Sequence, residues 1–170
     1  MIKDSDYKLM PALCLDLDGT IRFSKSGDFI NEPNDITLFS GIEEIIWSYK
    51  NQGFLICGIT NQGGVACGHK NPADIEAEIL KTRQLFTKDP FDVIQSSFCM
   101  QEGSTEPYNH RSLLRKPDIG MLVLCEVQAF AQHIIIDWNN SLLVGDQETD
   151  KQCAQNANIQ FCWAKDFFSL

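Results

Sequence analysis

Apolar and polar positions along the chain fall into short blocks that change period repeatedly. Pro11-Ala12-Leu13-Cys14-Leu15 is a brief apolar run of the kind that fills a buried strand. Ile21 to Ile30 has two apolar-bearing arms around a Ser26-Gly27-Asp28 turn and reads as a β-hairpin, and Asn31 to Ser40 reads as a loop. Gly41 to Asn51 carries Ile42, Ile45, Ile46 and Tyr49 at helical spacing, with Gly53 as its stop. Phe54 to Ile59 is a second apolar strand. Asn71-Pro72 opens a helix with Ile75, Ile79 and Phe86 along one face, closed by Asp89-Pro90. Phe91 to Phe98 reads as a third strand, and Cys99 to Leu114 as a long irregular loop. A helix from Asp118 to about Ala131 repeats Met121, Leu122, Cys125 and Gln128. Gln132 to Asn140 reads as a connection, Ser141 to Val144 as a fourth strand, and Ile159 to Trp163 as a fifth. Asp150 falls in the first turn of a short helix between them.

This alternation predicts an α/β fold: a Rossmann-like three-layer sandwich around a mostly parallel five-stranded sheet. The hairpin would form a flap, and the hairpin, helices and strand already fill the intervals from Asp18 to Thr60 and from Gln62 to Lys116, which leaves no room for a large inserted domain. The 170 residues suit one domain, 1–170. Such sheets bind ligands at the carboxyl ends of their strands.

Composition narrows the function. The net charge of -9 argues against a general nucleic-acid or anionic-membrane surface, but leaves room for a small phosphorylated ligand in a locally positive pocket. No apolar run is long enough to span a membrane. The polar start, Met1 to Asp6, lacks the apolar region of a signal peptide, so a cytoplasmic location is the default expectation. Seven scattered cysteines and no Cys-x-x-Cys pair read as reduced thiols, several of them in the core.

Polar clusters stand at the strand ends and helix starts. Asp16 and Asp18 leave the first strand on the same side, and two such like charges need a cation or a shared proton. Alone, that pair is equally an acidic turn. Thr60-Asn61-Gln62, Arg115-Lys116 and Asp146 with Asp150 join it on the same rim, and together they suit phosphoryl transfer. Asp16 could attack phosphorus, and Asp18 could act as acid and then as base. Oxygen ligands from Asp16, Asp146 and Asp18 (the last through its backbone carbonyl) suit Mg²⁺. Lys116 and Thr60 could hold phosphoryl oxygens, and Asp150 could orient a water or steady Lys116.

Asp16-Leu17-Asp18-Gly19-Thr20, Thr60-Asn61-Gln62, Lys116-Pro117 and Gly145-Asp146-x-x-x-Asp150 resemble the four motifs of the haloacid dehalogenase (HAD) superfamily of phosphohydrolases. Thr60-Asn61-Gln62 and Arg115-Lys116-Pro117-x-x-Gly120-Met121 resemble a narrower branch. It holds heptose-1,7-bisphosphate phosphatases, histidinol-phosphate phosphatases and polynucleotide 3′-phosphatases. The resemblance implies Asp16 as nucleophile and Asp18 as acid/base. It implies Thr60, Asn61 and Lys116 at the phosphate, Arg115 and Gln62 toward substrate, and Asp16, Asp18 and Asp146 around Mg²⁺. In the heptose and histidinol enzymes a zinc loop precedes the Arg-Lys-Pro motif. Here Cys99 matches its first ligand, but Gln101, Ser112 and Leu114 fill the other places and His110 has the wrong spacing, so no structural zinc is expected. Gln147 stands where the heptose enzymes tend to carry a basic residue.

The expected function is a Mg²⁺-dependent phosphomonoesterase, working through an aspartyl-phosphate on a small phosphorylated metabolite such as a sugar (bis)phosphate, as a monomer or small homo-oligomer. The alternatives are a nucleic-acid 3′-end phosphatase, which the charge disfavours, and a non-catalytic phosphate-binding protein of the same fold.

Overall fold

The computed structural model describes residues 7–27 and 29–170. The polar start at residues 1–6 and Asp28 of the expected hairpin turn lie outside the described residues. The strands are β1 (Lys8–Met10), β2 (Ala12–Leu15), β3 (Arg22–Ser24), β4 (Ile36–Leu38), β5 (Leu55–Asn61), β6 (Val93–Ser97), β7 (Ile134–Ile136), β8 (Leu142–Gly145) and β9 (Gln160–Trp163). The helices are α1 (Ile42–Asn51), α2 (Pro72–Leu85), α3 (Gly120–Phe130), α4 (Glu148–Asn156) and α5 (Ala164–Phe168).

Five strands form a parallel sheet in the order β6-β5-β2-β8-β9. From β2 the chain steps outward through β5 to β6, then crosses back to lay β8 and β9 on the other side. β2 therefore sits at the point where the winding reverses, where open α/β sheets leave a crevice at their carboxyl ends. Side-chain alternation gives each face its own core. Ala12, Cys14, Leu55, Cys57 and Leu143 pack with Met121, Leu122 and Cys125 of α3 and Cys153 of α4. Leu13, Leu15, Ile56 and Val144 pack on the opposite face with Ile42 and Ile46 of α1 and Phe168 of α5. The three layers are those expected.

Local chemistry accounts for the element ends. Asn71 caps α2: its Oδ1 accepts from the Asp74 N–H at 3.1 Å, and its own N–H donates to Asp74 Oδ2 at 2.8 Å. Gly53, at φ +91°, takes the left-handed turn after α1.

Two expectations need correction. The hairpin's second arm is Ile36–Leu38, paired antiparallel with β3 in the register Arg22 to Leu38, and not Phe29-Ile30. The reason lies in Asp35. Its carboxylate accepts from Ser24 Oγ at 2.7 Å, Ser26 N–H at 2.9 Å and Asn31 N–H at 3.2 Å, drawing the intervening loop into a knot at the base of β4. These bonds, the Ser24 hydroxyl first, lower the Asp35 carboxyl to about 2. The Ile134-Ile135-Ile136 run is also more than a connection. It pairs parallel with β1, Lys8 to Ile134 through Met10 to Ile136. Among the described residues, no helix is long and apolar enough to cross a membrane.

Candidate active site

Asp16 is the first residue beyond β2, between Thr60 and Asn61 at the end of β5 and Asp146 just past β8. Its N–H donates to the Val144 carbonyl at 3.0 Å, fixing where the carboxylate emerges. Lys116 reaches it from the loop before α3. The Lys116 Nζ lies 2.5 Å from Asp16 Oδ1 and 2.6 Å from Asp150 Oδ1, and donates to the Ile59 carbonyl at 3.0 Å. All three side chains are buried. Burial raises the Asp16 carboxyl to about 7; Lys116 works against this shift, and Asp150 and Asp18 add to it. Burial also works against charge on Lys116, yet the two carboxylates hold its pKa above the usual lysine value.

Asn61, expected at the phosphate, is engaged by its side chain with the Lys116 backbone. Its Nδ2 donates to the Lys116 carbonyl and its Oδ1 accepts from the Lys116 N–H, both at 3.0 Å. Both ends of the amide are spent on the lysine's backbone, so Asn61 sets where Lys116 leaves the chain. The Thr60 hydroxyl is buried beside Gln62, whose Nε2 donates to it at 2.8 Å.

Asp18 faces a different neighbourhood. Gly19 N–H donates to the Arg22 carbonyl at 2.9 Å and Arg22 N–H to the Leu17 carbonyl at 3.0 Å, so the chain folds back and brings Arg22 alongside. Arg22 Nε donates to Asp18 Oδ1 at 2.7 Å, and Gln62 Nε2 to Asp18 Oδ2 at 2.6 Å. Burial alone would raise the Asp18 carboxyl, but the Arg22 guanidinium and these hydrogen bonds hold it below the usual carboxylate range.

Asp146 completes the rim. Its Oδ2 accepts from Gln147 Nε2 at 2.7 Å and its Oδ1 from the Thr20 hydroxyl at 3.4 Å. Asp150 stands in the first turn of α4, with its Oδ2 taken by the Gln147 N–H at 3.0 Å. Asp16, Asp146 and Asp150 each offer one oxygen within 4.8 Å of the others; among the described residues this is the one group of three or more such ligands. Mg²⁺ takes oxygen ligands, and the all-carboxylate donor set of this cluster suits that ion. The Asp18 carboxylate is turned to Arg22 and Gln62 instead.

Arg115 is half-buried. Its Nη1 donates to the Cys99 carbonyl at 3.3 Å, and burial lowers its pKa. Cys99 Sγ lies 3.7 Å from His110 Nε2, so the loop brings that pair together despite its spacing. A cleft of about 410 Å³ lies beside Asp146, bordered by Gly19, Phe39, Trp163 and Lys165.

Sequence reasoning missed the residues behind Asp18. Arg22 is wholly buried, and its Nη1 donates to Thr82 Oγ1 at 2.6 Å and to the Glu78 carbonyl at 3.2 Å. The Glu78 side chain is buried too, with Lys70 Nζ 2.5 Å from its Oε1; burial raises its pKa against the pull of Lys70. The signal available was a charged residue four positions after Asp18 in an otherwise apolar arm. Glu78 and Thr82 also follow Ile75 at helical spacing.

The family model described as Polynucleotide kinase 3 phosphatase matches residues 12–168. The D-glycero-beta-D-manno-heptose-1,7-bisphosphate 7-phosphatase of Escherichia coli (strain K12) is 29% identical over 154 residues, spanning 89% of this chain and 77% of that protein. The D-glycero-alpha-D-manno-heptose-1,7-bisphosphate 7-phosphatase of Burkholderia mallei (strain ATCC 23344) is 30% identical over 151 residues, spanning 87% and 76%. Among solved structures, a protein from Mesorhizobium loti assigned as a HAD-like phosphatase superposes with a TM-score of 0.75 at 26% identity, over 93% of this chain and 74% of that one.

Proposed function

The chain belongs to the polynucleotide kinase 3 phosphatase family, among the phosphatases of the HAD superfamily, and on that basis we propose that it is a Mg²⁺-dependent phosphomonoesterase acting through Asp16 on a small phosphorylated metabolite, a sugar phosphate or bisphosphate first. The observation that carries this reading is the buried Asp16–Lys116–Asp150 contact at the carboxyl end of β2, with Asp146 beside it. The heptose-bisphosphate activity of the relatives supports the choice of substrate class.

In this reading Asp16 attacks phosphorus, the bond from phosphorus to the leaving oxygen breaks, and an aspartyl-phosphate forms. Asp18 gives a proton to the leaving oxygen. It then takes one from the water that attacks the aspartyl-phosphate and frees inorganic phosphate. Lys116 and Thr60 hold phosphoryl oxygens, with Lys116 held at its tip by Asp150 and at its backbone by Asn61. Gln62 steadies Asp18, and Arg115 lies toward the substrate. Asp16 and Asp146, with the Asp18 carbonyl, would hold Mg²⁺, whose charge lets an anionic nucleophile approach an anionic phosphate.

The family's description favours a second reading, a polynucleotide 3′-phosphatase. The charge of -9 stands against it. One experiment separates them: phosphate release from sugar mono- and bisphosphates, histidinol phosphate, nucleotides and a 3′-phosphorylated oligonucleotide. Each is run with Mg²⁺, with EDTA and with Asp16→Asn. Release that needs both Mg²⁺ and Asp16, and is strongest on a sugar phosphate, is expected. A best substrate among the oligonucleotides would replace the metabolite reading, and full activity in Asp16→Asn would remove the mechanism.

A further inference from the structure

Arg22 is a buried cation that the reaction scheme leaves without a role. Its side chain has no exposed surface, whereas the Asp18 side chain it touches is 42% exposed. A guanidinium is costly to bury unless its donors are used. Here Nε is spent on Asp18 Oδ1, and Nη1 on Thr82 Oγ1 and the Glu78 carbonyl, both on α2, while Nη2 is buried with no hydrogen-bond partner among the described residues. The remaining Asp18 oxygen, Oδ2, meets the Gln62 amide. The two partners differ in kind. A guanidinium only donates, and it stays protonated. An amide can turn over and present its oxygen, so it can face either a carboxylate or a carboxylic acid.

From this geometry we propose that Arg22 is a positioning residue for proton transfer. Anchored to α2, it fixes Asp18 Oδ1 and leaves Oδ2, the oxygen shared with Gln62, as the atom that gives and takes the proton. The inference rests on Asp18 serving as the acid and base of the proposed reaction. Asp18 enters the first half-reaction protonated on Oδ2, against the pull of Arg22; the Oδ2–H bond breaks, the proton passes to the leaving oxygen as its bond to phosphorus breaks, and Asp18 remains as the carboxylate that Arg22 favours. In the second, Oδ2 takes a proton from the attacking water. Arg22 gains and loses nothing, and acts by holding the carboxylate in one orientation toward the site. α2 thereby sets the aim of the proton-transfer group without touching substrate.

The test uses leaving groups that differ in their need for a proton. kcat/KM reports the steps through formation of the aspartyl-phosphate, so it isolates the acid role from the later base role. It is measured for the best alkyl phosphate of the panel above and for p-nitrophenyl phosphate, whose leaving phenolate departs without a proton. The proteins are wild type, Asp18→Asn, Arg22→Ala and Thr82→Val, all with Mg²⁺. Arg22→Ala is expected to lose about a hundredfold on the alkyl ester and less than about tenfold on the aryl ester. Thr82→Val, which removes one anchor of Arg22, should show the same split at about tenfold on the alkyl ester. Added guanidinium ion should restore part of the alkyl activity of Arg22→Ala. Equal losses on both esters, with no rescue by guanidinium, would overturn the proposal. If Arg22→Ala does not fold, Thr82→Val decides, and equal losses there also overturn it. Asp18→Asn separates the two levels. If it shows no split, the acid/base reading fails and takes this inference with it. If it splits while the Arg22 and Thr82 variants do not, the inference alone fails.

Discussion

Replacing Lys116 by methionine should destabilise the metal-free protein sharply, and more at pH 8 than at pH 5. The Lys116 side chain is 2% exposed, and its partners Asp16 and Asp150 are 8% and 1% exposed. Methionine keeps much of the volume and removes the charge. Two buried carboxylates then face one another with no cation between them, and the Ile59 carbonyl loses its donor. Removing one partner of a buried ion pair costs about 3–5 kcal/mol, and an orphaned buried acceptor about 1 kcal/mol more. For a chain of this size each kcal/mol moves Tm by about 2–4 °C, so a fall of roughly 8–24 °C is expected at pH 8. At pH 5 the variant can relieve the repulsion by taking up a proton, and the deficit should shrink. Lys116→Met combined with Asp150→Asn should recover about half of it. The measurement is thermal unfolding in EDTA at both pH values. A Tm within about 2 °C of wild type at pH 8, or a deficit that ignores pH, would refute the claim that this lysine neutralises a buried carboxylate pair.

Asp16, raised to about 7 by burial, makes the metal-free fold hold a proton that the unfolded chain releases near its ordinary value of 3.8; the resulting stability is present at low pH and lost as pH rises through about 7. Since a ligating carboxylate must be ionised, Mg²⁺ affinity by calorimetry should fall about tenfold from pH 8 to pH 6, with proton release on binding that disappears in Asp16→Asn. Gly145→Ala should lower stability by about 1–3 kcal/mol in thermal unfolding, because an added Cβ would collide with the Asp150 side chain, and phosphate release should fall with it. Asp35→Ala should open the loop between β3 and β4 to limited proteolysis at neutral pH. In wild type that protection should persist in acid, because the stability Asp35 contributes is present above its ordinary value of 3.8 and lost only as pH falls through about 2.

How far the sequence alone could be read follows from the range of the interactions concerned. The sheet was legible because β2, β5 and β8 are short apolar runs between turn signals, and buried parallel strands need nothing else. The rim was legible because Asp16, Thr60, Lys116 and Asp146 each stand at an element boundary, where topology brings them together. Pairings between distant segments were not. β7 joins β1, and nothing local to Ile134-Ile135-Ile136 announces a partner at Lys8–Met10. Phe29-Ile30 and Ile36-Thr37-Leu38 compete as the second hairpin arm, and the choice falls to Asp35, a polar residue outside the apolar pattern. The face of α2 was only partly legible. Ile75 and Phe86 are buried and Ile79 packs against the core as expected, but the helix also buries Glu78 and Thr82 beside Ile75, because a buried arginine lies opposite. An apolar template cannot find a polar face whose partner is a charge from another element.

The charges at the strand ends also constrain how such a site can work. Asp16, Asp18, Asp146 and Asp150 face two buried cations, Lys116 and Arg22. With every group ionised, the cluster is two positive charges short of neutral. The deficit is uneven. Asp18 has Arg22, while Asp16 and Asp150 share a single lysine, and Asp146 has only the neutral donors Gln147 and Thr20. The uncompensated charge therefore lies on the Asp16–Asp146–Asp150 side, where the three carboxylate oxygens cluster. Without a metal ion, burial raises the Asp16 carboxyl toward neutrality, with the Asp150 and Asp18 charges adding to it against Lys116, and this blunts the proposed nucleophile. A divalent cation is the smallest charge that removes the deficit and returns Asp16 to its ionised form. A phosphate dianion approaching first would meet the excess negative charge at close range, and Lys116 is already committed to two carboxylates. In the proposed function, cation binding would therefore precede or accompany substrate, and would activate the carboxylate as well as screen the phosphate.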